Sequence, residues 1–204
     1  MKMTRRTQAD RSAATRGALV EAGRALFGER GFAGVGTEAI VRRAGVSRGA
    51  LYHQFADKTE LFAAVFEDLE DELSQRLSAD VLARGESDLM AVLRTAIEAW
   101  LDLCEEPAVR QIVLLDGPSV LGWARWREIM QPYALGLVQA LLDQAVAAGE
   151  LPPYPARPLA HLLVAMADEA ALYIVAAEDP GRARTEMLDL VTPLLDALRT
   201  PRDR

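Results

Sequence analysis

With 204 residues, half of them apolar, the chain can bury one or two cores and is too apolar to stay disordered. Its net charge of −7 argues against a nucleic-acid partner until the charge is divided along the chain. Residues 1–58 hold 11 Lys/Arg against 5 Asp/Glu and residues 59–204 hold 12 against 25, a basic head on an acidic body that suits contact with a polyanion at one end only.

Ala and Leu dominate and β-branched residues are sparse, which favours an all-α protein. The single cysteine, Cys104, excludes an intramolecular disulfide and reads as a buried, inert thiol. The basic N-terminus is not followed by the apolar stretch of a signal peptide. One apolar run, 159–177, is long enough to be compared with a membrane span. Asp168 and Glu169 interrupt it at its midpoint, where each would cost about 2.5–3.5 kcal/mol in lipid. The expectation is a buried helix of a soluble, cytoplasmic protein with no membrane partner.

In chain order, residues 1–11 form a polar arm with Arg5, Arg6 and Arg11, read as flexible. From Ser12, Leu19, Ala22, Leu26 and Phe27 recur at helical spacing, Gly31 is placed to end the helix, and Phe32 to fold back on the core. Thr37 is the expected cap of a helix to Ala44, Gly45 makes a turn, and Ser47 caps a short helix ending near Phe55. Asp57 and Glu60 resemble a capping box that opens a long helix from Lys58 to about Asp80. The acidic run Glu67, Asp68, Glu70, Asp71 and Glu72 is its expected wet side. Further helices are predicted at 87–104, 107–115, 119–130, 132–149, 156–177 and 181–199, with Pro132 a kink or a break. No alternation long enough for a sheet occurs.

The stretch from 34 to 58 is the most informative. A helix of two turns does not persist alone in water, so Ile40, Val41, Ala44, Val46, Leu51 and Phe55 must pack on a neighbour. The remaining face carries Arg48, Gly49, Tyr52, His53 and Gln54, groups suited to base edges and phosphates in a major groove. Arg48 has the reach to fork onto a guanine or a phosphate. Gly49 allows close backbone approach, and His53 points outward with no second metal ligand nearby. Tyr52 is divided between packing and a phosphate hydrogen bond, and Thr37 between an ordinary cap and a phosphate contact. Lys58 is one of two lysines beside 21 arginines, a hint that this position needs an ammonium. Arg42 and Arg43 lie on the polar side of the second helix, beside a backbone or simply solvated.

From Arg16 to Phe66 the order Ala22, Leu26-Phe27, Gly31-Phe32, Thr37, Ile40, Ala44-Gly45-Val46-Ser47, Leu51-Tyr52, Phe55, Lys58, Leu61 resembles the DNA-binding head of the tetracycline-repressor (TetR) family. The resemblance implies a three-helix head whose second and third helices form a helix-turn-helix, over 1–58. A long helix would join it to a helical effector-binding and dimerisation domain over 59–204. It also implies that Arg48, Gly49, Tyr52 and His53 touch DNA and that Lys58 meets a phosphate. The function expected is a ligand-responsive regulator, a repressor in most such proteins, which binds a palindromic double-stranded operator as a homodimer and is released by a small-molecule effector. A constitutive DNA binder without a ligand is the alternative left open.

In the body, the apolar helical hairpin 156–199 holds more apolar surface than one subunit covers easily, so it is assigned to a homodimer interface, with Leu188 and Leu195 on the apolar face. Trp100, Trp123, Trp126 and Tyr173, with Met130 and Tyr133, are the large side chains available for a pocket or for plain core. His161 and Asp168 lie two turns apart on one face of an apolar helix and need partners there: a ligand, the other subunit or a helix end. No phosphate loop, nucleophile elbow or zinc-protease motif is present, so no enzyme, catalytic residue, cofactor or metal site is expected.

Overall fold

The computed structural model describes residues 7–86 and 88–199, so Arg5 and Arg6 of the basic arm lie outside the described residues. All regular structure within them is helical. The chain divides into two compact units, one of residues 1–69 with 107–126 and one of residues 70–106 with 127–204. The first unit thus takes in more than a cut at residue 58 would give it.

In the first unit, α1 (Gln8–Arg30) begins before Ser12, so Arg11 belongs to a helix and not to a flexible arm. The cause is a capping box that Thr7 and Asp10 complete. The Thr7 hydroxyl accepts the Asp10 N–H at 3.1 Å, and the Asp10 carboxylate accepts the Thr7 N–H at 2.9 Å. At the other end Gly31 adopts a positive φ of 69°, open to a glycine at little cost, and its N–H closes on the Phe27 carbonyl at 2.8 Å. The chain then turns Phe32 back, as its place after the cap suggests. Phe27, Phe32 and Phe62 form a cluster with ring centroids 5.3–5.7 Å apart, two of the three contacts edge-on. The Phe32 N–H donates to Asp116 at 2.7 Å, which fixes the loop after α1.

Helices α2 (Thr37–Ala44) and α3 (Arg48–Gln54) follow, packed on α1 through Ile40 and Leu51, both fully buried. Thr37 is the first helical residue rather than the cap. Gly36 holds the extended cap position, and no side chain closes it. Ser47 does cap α3, accepting the Ala50 N–H at 3.1 Å. Helix α4 (Lys58–Arg84) outruns the predicted end at Asp80. Asp57 accepts the Glu60 N–H at 2.9 Å, but the reciprocal half of the box is missing because the Glu60 carboxylate is held by Arg125 at 2.5 and 2.8 Å. Residues 107–126 complete the unit: α6 (Pro107–Val109), a π-helical turn (Arg110–Asp116), α7 (Gly117–Leu121) and the start of α8 (Trp123–Met130). The single helix expected over 119–130 is cut at Gly122, whose φ of +73° ends α7.

The second unit contains the rest of α4, α5 (Leu89–Leu103, whose label follows its place in the chain), a π turn (Gln131–Leu135), α9 (Gly136–Ala147), α10 (Ala156–Ala176) and α11 (Pro180–Asp196). Next to Pro132 the helix is interrupted: Tyr133, at φ −103° and ψ −119°, leaves helical geometry, and two helices meet there across a kink. Asp88 caps α5 through the Met90 and Ala91 N–H groups and also takes Arg199 at 2.7 and 2.9 Å, closing the unit's last turn onto its first helix. Helix α10 packs on α5, α9 and α11. By length and composition α10 would pass as a membrane span, but its polar interruption, Asp168, points into the unit's interior.

One expectation for the hairpin is corrected here. Leu195 is buried in the unit's own core, so it is not an interface position. The apolar groups left outside are Leu162 and Tyr173 on α10 and Leu190 and Leu194 on α11, between 48% and 68% exposed.

Phe27 is fully buried at the centre of the aromatic cluster. Phe27→Ala should therefore cost about 3–5 kcal/mol in urea unfolding of the whole chain, whereas Ala at exposed Leu82 should change it by less than about 0.5 kcal/mol.

Candidate functional sites: a polar helix face and an acidic cavity

The first site is the outer face of α3. Ser47 starts the helix and Leu51 anchors it inward, so Arg48, Tyr52 and His53 are exposed. The Gln54 side chain donates to Ser12 at 2.8 Å, and the Arg16 guanidinium lies 4.6 Å from the Phe55 ring centroid, which pins the end of α3 to α1. The Arg48 guanidinium lies 5.6 Å from the Tyr52 ring centroid. The Tyr52 phenol is shifted to lower pKa, first by a hydrogen bond from Arg48 and then by one from Thr37. Arg48 on α3 and Thr37 on α2 are thus the two neighbours that act on the exposed Tyr52 phenol. A Cβ on Gly49 would meet only the Ser47 hydroxyl, at 3.8 Å. Nothing inside the chain demands glycine there, which leaves the space above it to a partner.

Lys58 has a more definite task than its sequence position suggests. Its ammonium donates to the Phe32 carbonyl at 2.9 Å and the Val35 carbonyl at 3.0 Å, and sits 3.9 Å from the Phe32 ring centroid. An ammonium offers three tetrahedral donors on a thin stem, whereas a planar guanidinium would not reach two such carbonyls over a ring. This gives a physical reason for a lysine in an arginine-rich chain, and it leaves one N–H for another acceptor. Arg42 and Arg43 are exposed, and Arg43 lies 3.5 Å from Glu29.

The second site lies within the second unit. A cavity of about 90 Å³ opens between α4, α5, α9 and α10, walled by apolar side chains such as Leu73, Ile97, Val138 and Leu163. Four polar groups enter it: Glu70, Ser74, Trp100 and Asp168. Glu70 is only 4% exposed, and its Oε1 has no hydrogen-bond partner among the described residues. This corrects its assignment to the wet side of α4. Glu67, Asp68 and Asp71 do face solvent, but Glu70 stands four residues after Phe66 and three before Leu73, on the apolar stripe. Helical periodicity alone could have shown it.

Burial, with the nearby Asp168 charge second, pushes the Glu70 carboxyl up to about 8. Asp168 is itself pushed up to about 7 by burial, held back by the Arg127 charge and by the Trp100 indole. The indole Nε1 faces that carboxyl but makes no close hydrogen bond. Cys104 is buried, and burial together with the Asp168 and Glu70 charges raises its thiol pKa, so it stays protonated and inert.

Of the six side chains named for a pocket, the structure brings Trp100 and Asp168 together. His161 is not on the cavity wall; burial and the charges of Arg127 and Arg157 lower its pKa. Tyr173 is exposed on α10. Trp123 and Trp126 stack with centroids 5.2 Å apart in the first unit, Trp123 exposed and Trp126 buried.

Comparison with known proteins bears on both sites. Residues 19–65 match the family model described as "Bacterial regulatory proteins, tetR family", and residues 90–198 match "Tetracyclin repressor-like, C-terminal domain". A crystal structure of a TetR-family transcriptional regulator from Pectobacterium atrosepticum is 32% identical, with a TM-score of 0.79 over 97% of this chain and 100% of that one. The transposon Tn10 TetC protein of Escherichia coli is 27% identical over 71% of this chain and 72% of its own length. The transcriptional regulator CymR of Pseudomonas putida is 38% identical over 50% of this chain and 51% of its own.

The two raised carboxyls set a pH dependence whose sign is fixed. Both bind protons more tightly folded than unfolded, so their stabilising effect is complete below the ordinary carboxylate range and is lost as pH rises toward about 8. The melting temperature should fall between about pH 5 and pH 8, and Glu70→Gln should flatten that fall in calorimetry. An equally steep fall in the variant would show that Glu70 is already ionised when folded.

Proposed function

The chain belongs to the tetR family of bacterial regulatory proteins, and from that premise we propose a cytoplasmic repressor that binds a palindromic operator as a homodimer and is released by a small-molecule effector. Its class, an all-α transcription regulator with a helix-turn-helix, rests on the family. The observation that supports the finer reading is the exposed face of α3, where Arg48 lies over the Tyr52 ring beside His53 and an unobstructed Gly49.

In this proposal α3 enters the major groove. Arg48 reads a base edge or clamps a phosphate, and Tyr52 and Thr37 present hydroxyls to the backbone. His53 lies one residue on and adds a further outward contact. Lys58 uses two donors to hold the loop before α2 and offers the third to a phosphate. Two copies pair through residues 156–199, where Leu162, Leu190 and Leu194 supply the apolar surface, and two recognition helices then read two half-sites. Effector bound in the cavity of the second unit acts on α4, which carries both Lys58 and Glu70 on one unbroken helix. A shift along α4 changes the operator-competent spacing, a coupling of two sites through one element. The side chains proposed for the effector are Trp100 and Asp168, and no catalytic role is assigned to any residue.

Three measurements test this. Arg48→Ala should weaken specific operator binding by about 1–3 kcal/mol while leaving the salt dependence of non-specific binding largely in place. Lys58→Ala should weaken all sequences alike and lower the salt slope by about one; an unchanged slope would remove the phosphate role and leave only the loop-holding one. Leu190→Glu with Leu194→Glu should give monomers by light scattering, and a dimer that survives both charges would overturn the interface.

A further inference from the structure

We propose that the cavity of the second unit is a site for a small organic monocation, an alkylammonium-type group whose charged head lies between Glu70 and Asp168 and whose short apolar part lies against α5, α9 and α10. This rests on the reading of the second unit as the effector-binding unit and names the chemistry of its ligand.

The argument starts from what is unsatisfied. A carboxyl buried at 4% exposure with a partnerless oxygen is a costly arrangement that packing alone does not require; a leucine would fill the stripe of α4 better. That oxygen belongs to a residue lining an open volume, so the missing partner can come from outside the chain. Glu70 enters the cavity from α4 and Asp168 from α10. Among the groups that face them, Arg127 from α8 brings the one positive charge, and Trp100 and Cys104 from α5 and its end bring none. The turn before α9, α9 itself and α11 contribute Ala134, Val138 and Leu195, likewise uncharged. His161, on α10, is held toward its neutral form by burial and Arg127. Once Glu70 gives up its proton, two carboxylates stand against one guanidinium among the described residues, a deficit of one positive charge that a monocation matches. An anion would add to the repulsion, and a neutral molecule could hydrogen-bond Glu70 but would bring no charge to displace its proton. The Trp100 ring on the wall adds a face that suits a cation.

Size follows from the volume. An apolar cavity of about 150 Å³ takes benzene, so about 90 Å³ takes a group of roughly four or five heavy atoms. Because Glu70 is protonated below about 8, seating a cation beside it should drive its proton off, so binding and proton release are coupled.

The test is titration calorimetry of the 204-residue protein with n-butylammonium, n-butanol and butyrate, at about pH 7.5 in buffers of different ionisation enthalpy. The ammonium should bind about ten- to a hundredfold tighter than the alcohol, the range that a charge-assisted contact supplies, with butyrate weakest. Close to one proton should be released per ammonium bound. Glu70→Gln, whose fold is checked by circular dichroism, should remove most of the proton release and reduce the preference for ammonium over alcohol to about threefold or less; Asp168→Asn should weaken ammonium binding in the same direction. Equal or tighter binding of n-butanol, no binding of the ammonium, or proton release undiminished in Glu70→Gln would each overturn the proposal. Operator affinity is read in the same samples. Ammonium binding with unchanged operator affinity would keep the cation site and refute effector release. Operator release by n-butanol alone would keep the effector reading and refute the cation.

Discussion

A long helix keeps its place when one face stays apolar over several turns, and α4 does so from Leu61 to Leu73, with Leu61, Phe62, Val65, Phe66, Leu69 and Leu73. The first five are core of the first unit and the last is core of the second. Burying a Leu or Phe side chain is worth about 1.5–3 kcal/mol, so any rotation of α4 about its axis would cost several such terms at once. That constraint fixes where every other side chain on the helix points. It places Lys58 under the loop after α1, and it places Glu70 on the stripe among hydrophobic neighbours. The two charged groups are opposite consequences of one periodicity. Lys58 lies at the helix start, where carbonyls are available to it; Glu70 lies mid-helix, where the backbone has no free N–H to offer.

The head was legible in the sequence because its signals are local. Gly31, Gly45 and Ser47 act on the residues next to them, and all three occupy the positions their chemistry demands. Where the local reading failed, a competing local partner won. Thr7 with Asp10 extended α1 beyond Ser12, and Gly36 took the cap position from Thr37. Thr37 then acts on the Tyr52 phenol of the next helix, an influence that spacing along one helix does not reveal. Asp116 is a similar case: it holds the Phe32 N–H from 84 residues away.

The body was less legible because side-chain type is a poor guide to side once a helix is apolar on several faces. Trp100 and Trp126 share a residue type, yet one lines the cavity and the other belongs to the core of a different unit. Tyr173 and Leu162 are exposed on the same helix that buries Ala167 and Ala170. The same helix also buries Leu163, Val164 and Ile174, so it is apolar on more than one side. Leu195 and Leu194 are adjacent and equal in hydrophobicity, but one is core and the other outside; the 100° step between them separates intramolecular packing from surface.

The charge run on α4 carries the deeper lesson. Five acidic residues within six positions read as a solvated face because charge usually means solvent. Glu67, Asp68 and Asp71 obey and Glu72 is half-buried beside Arg76; Glu70 is buried, since the stripe passes through its position. Counting charge and counting period gave different answers, and the period prevailed because the helix cannot turn one residue out without turning its neighbours in. The cost of that carboxyl is limited by keeping it protonated, and a protonated acid beside a second acid is an arrangement poised to exchange its proton for another positive charge. A core built only for stability has no use for such a pair. The effector-bound state proposed above would give it one, because an element can be biased only by an interaction that differs between its two states.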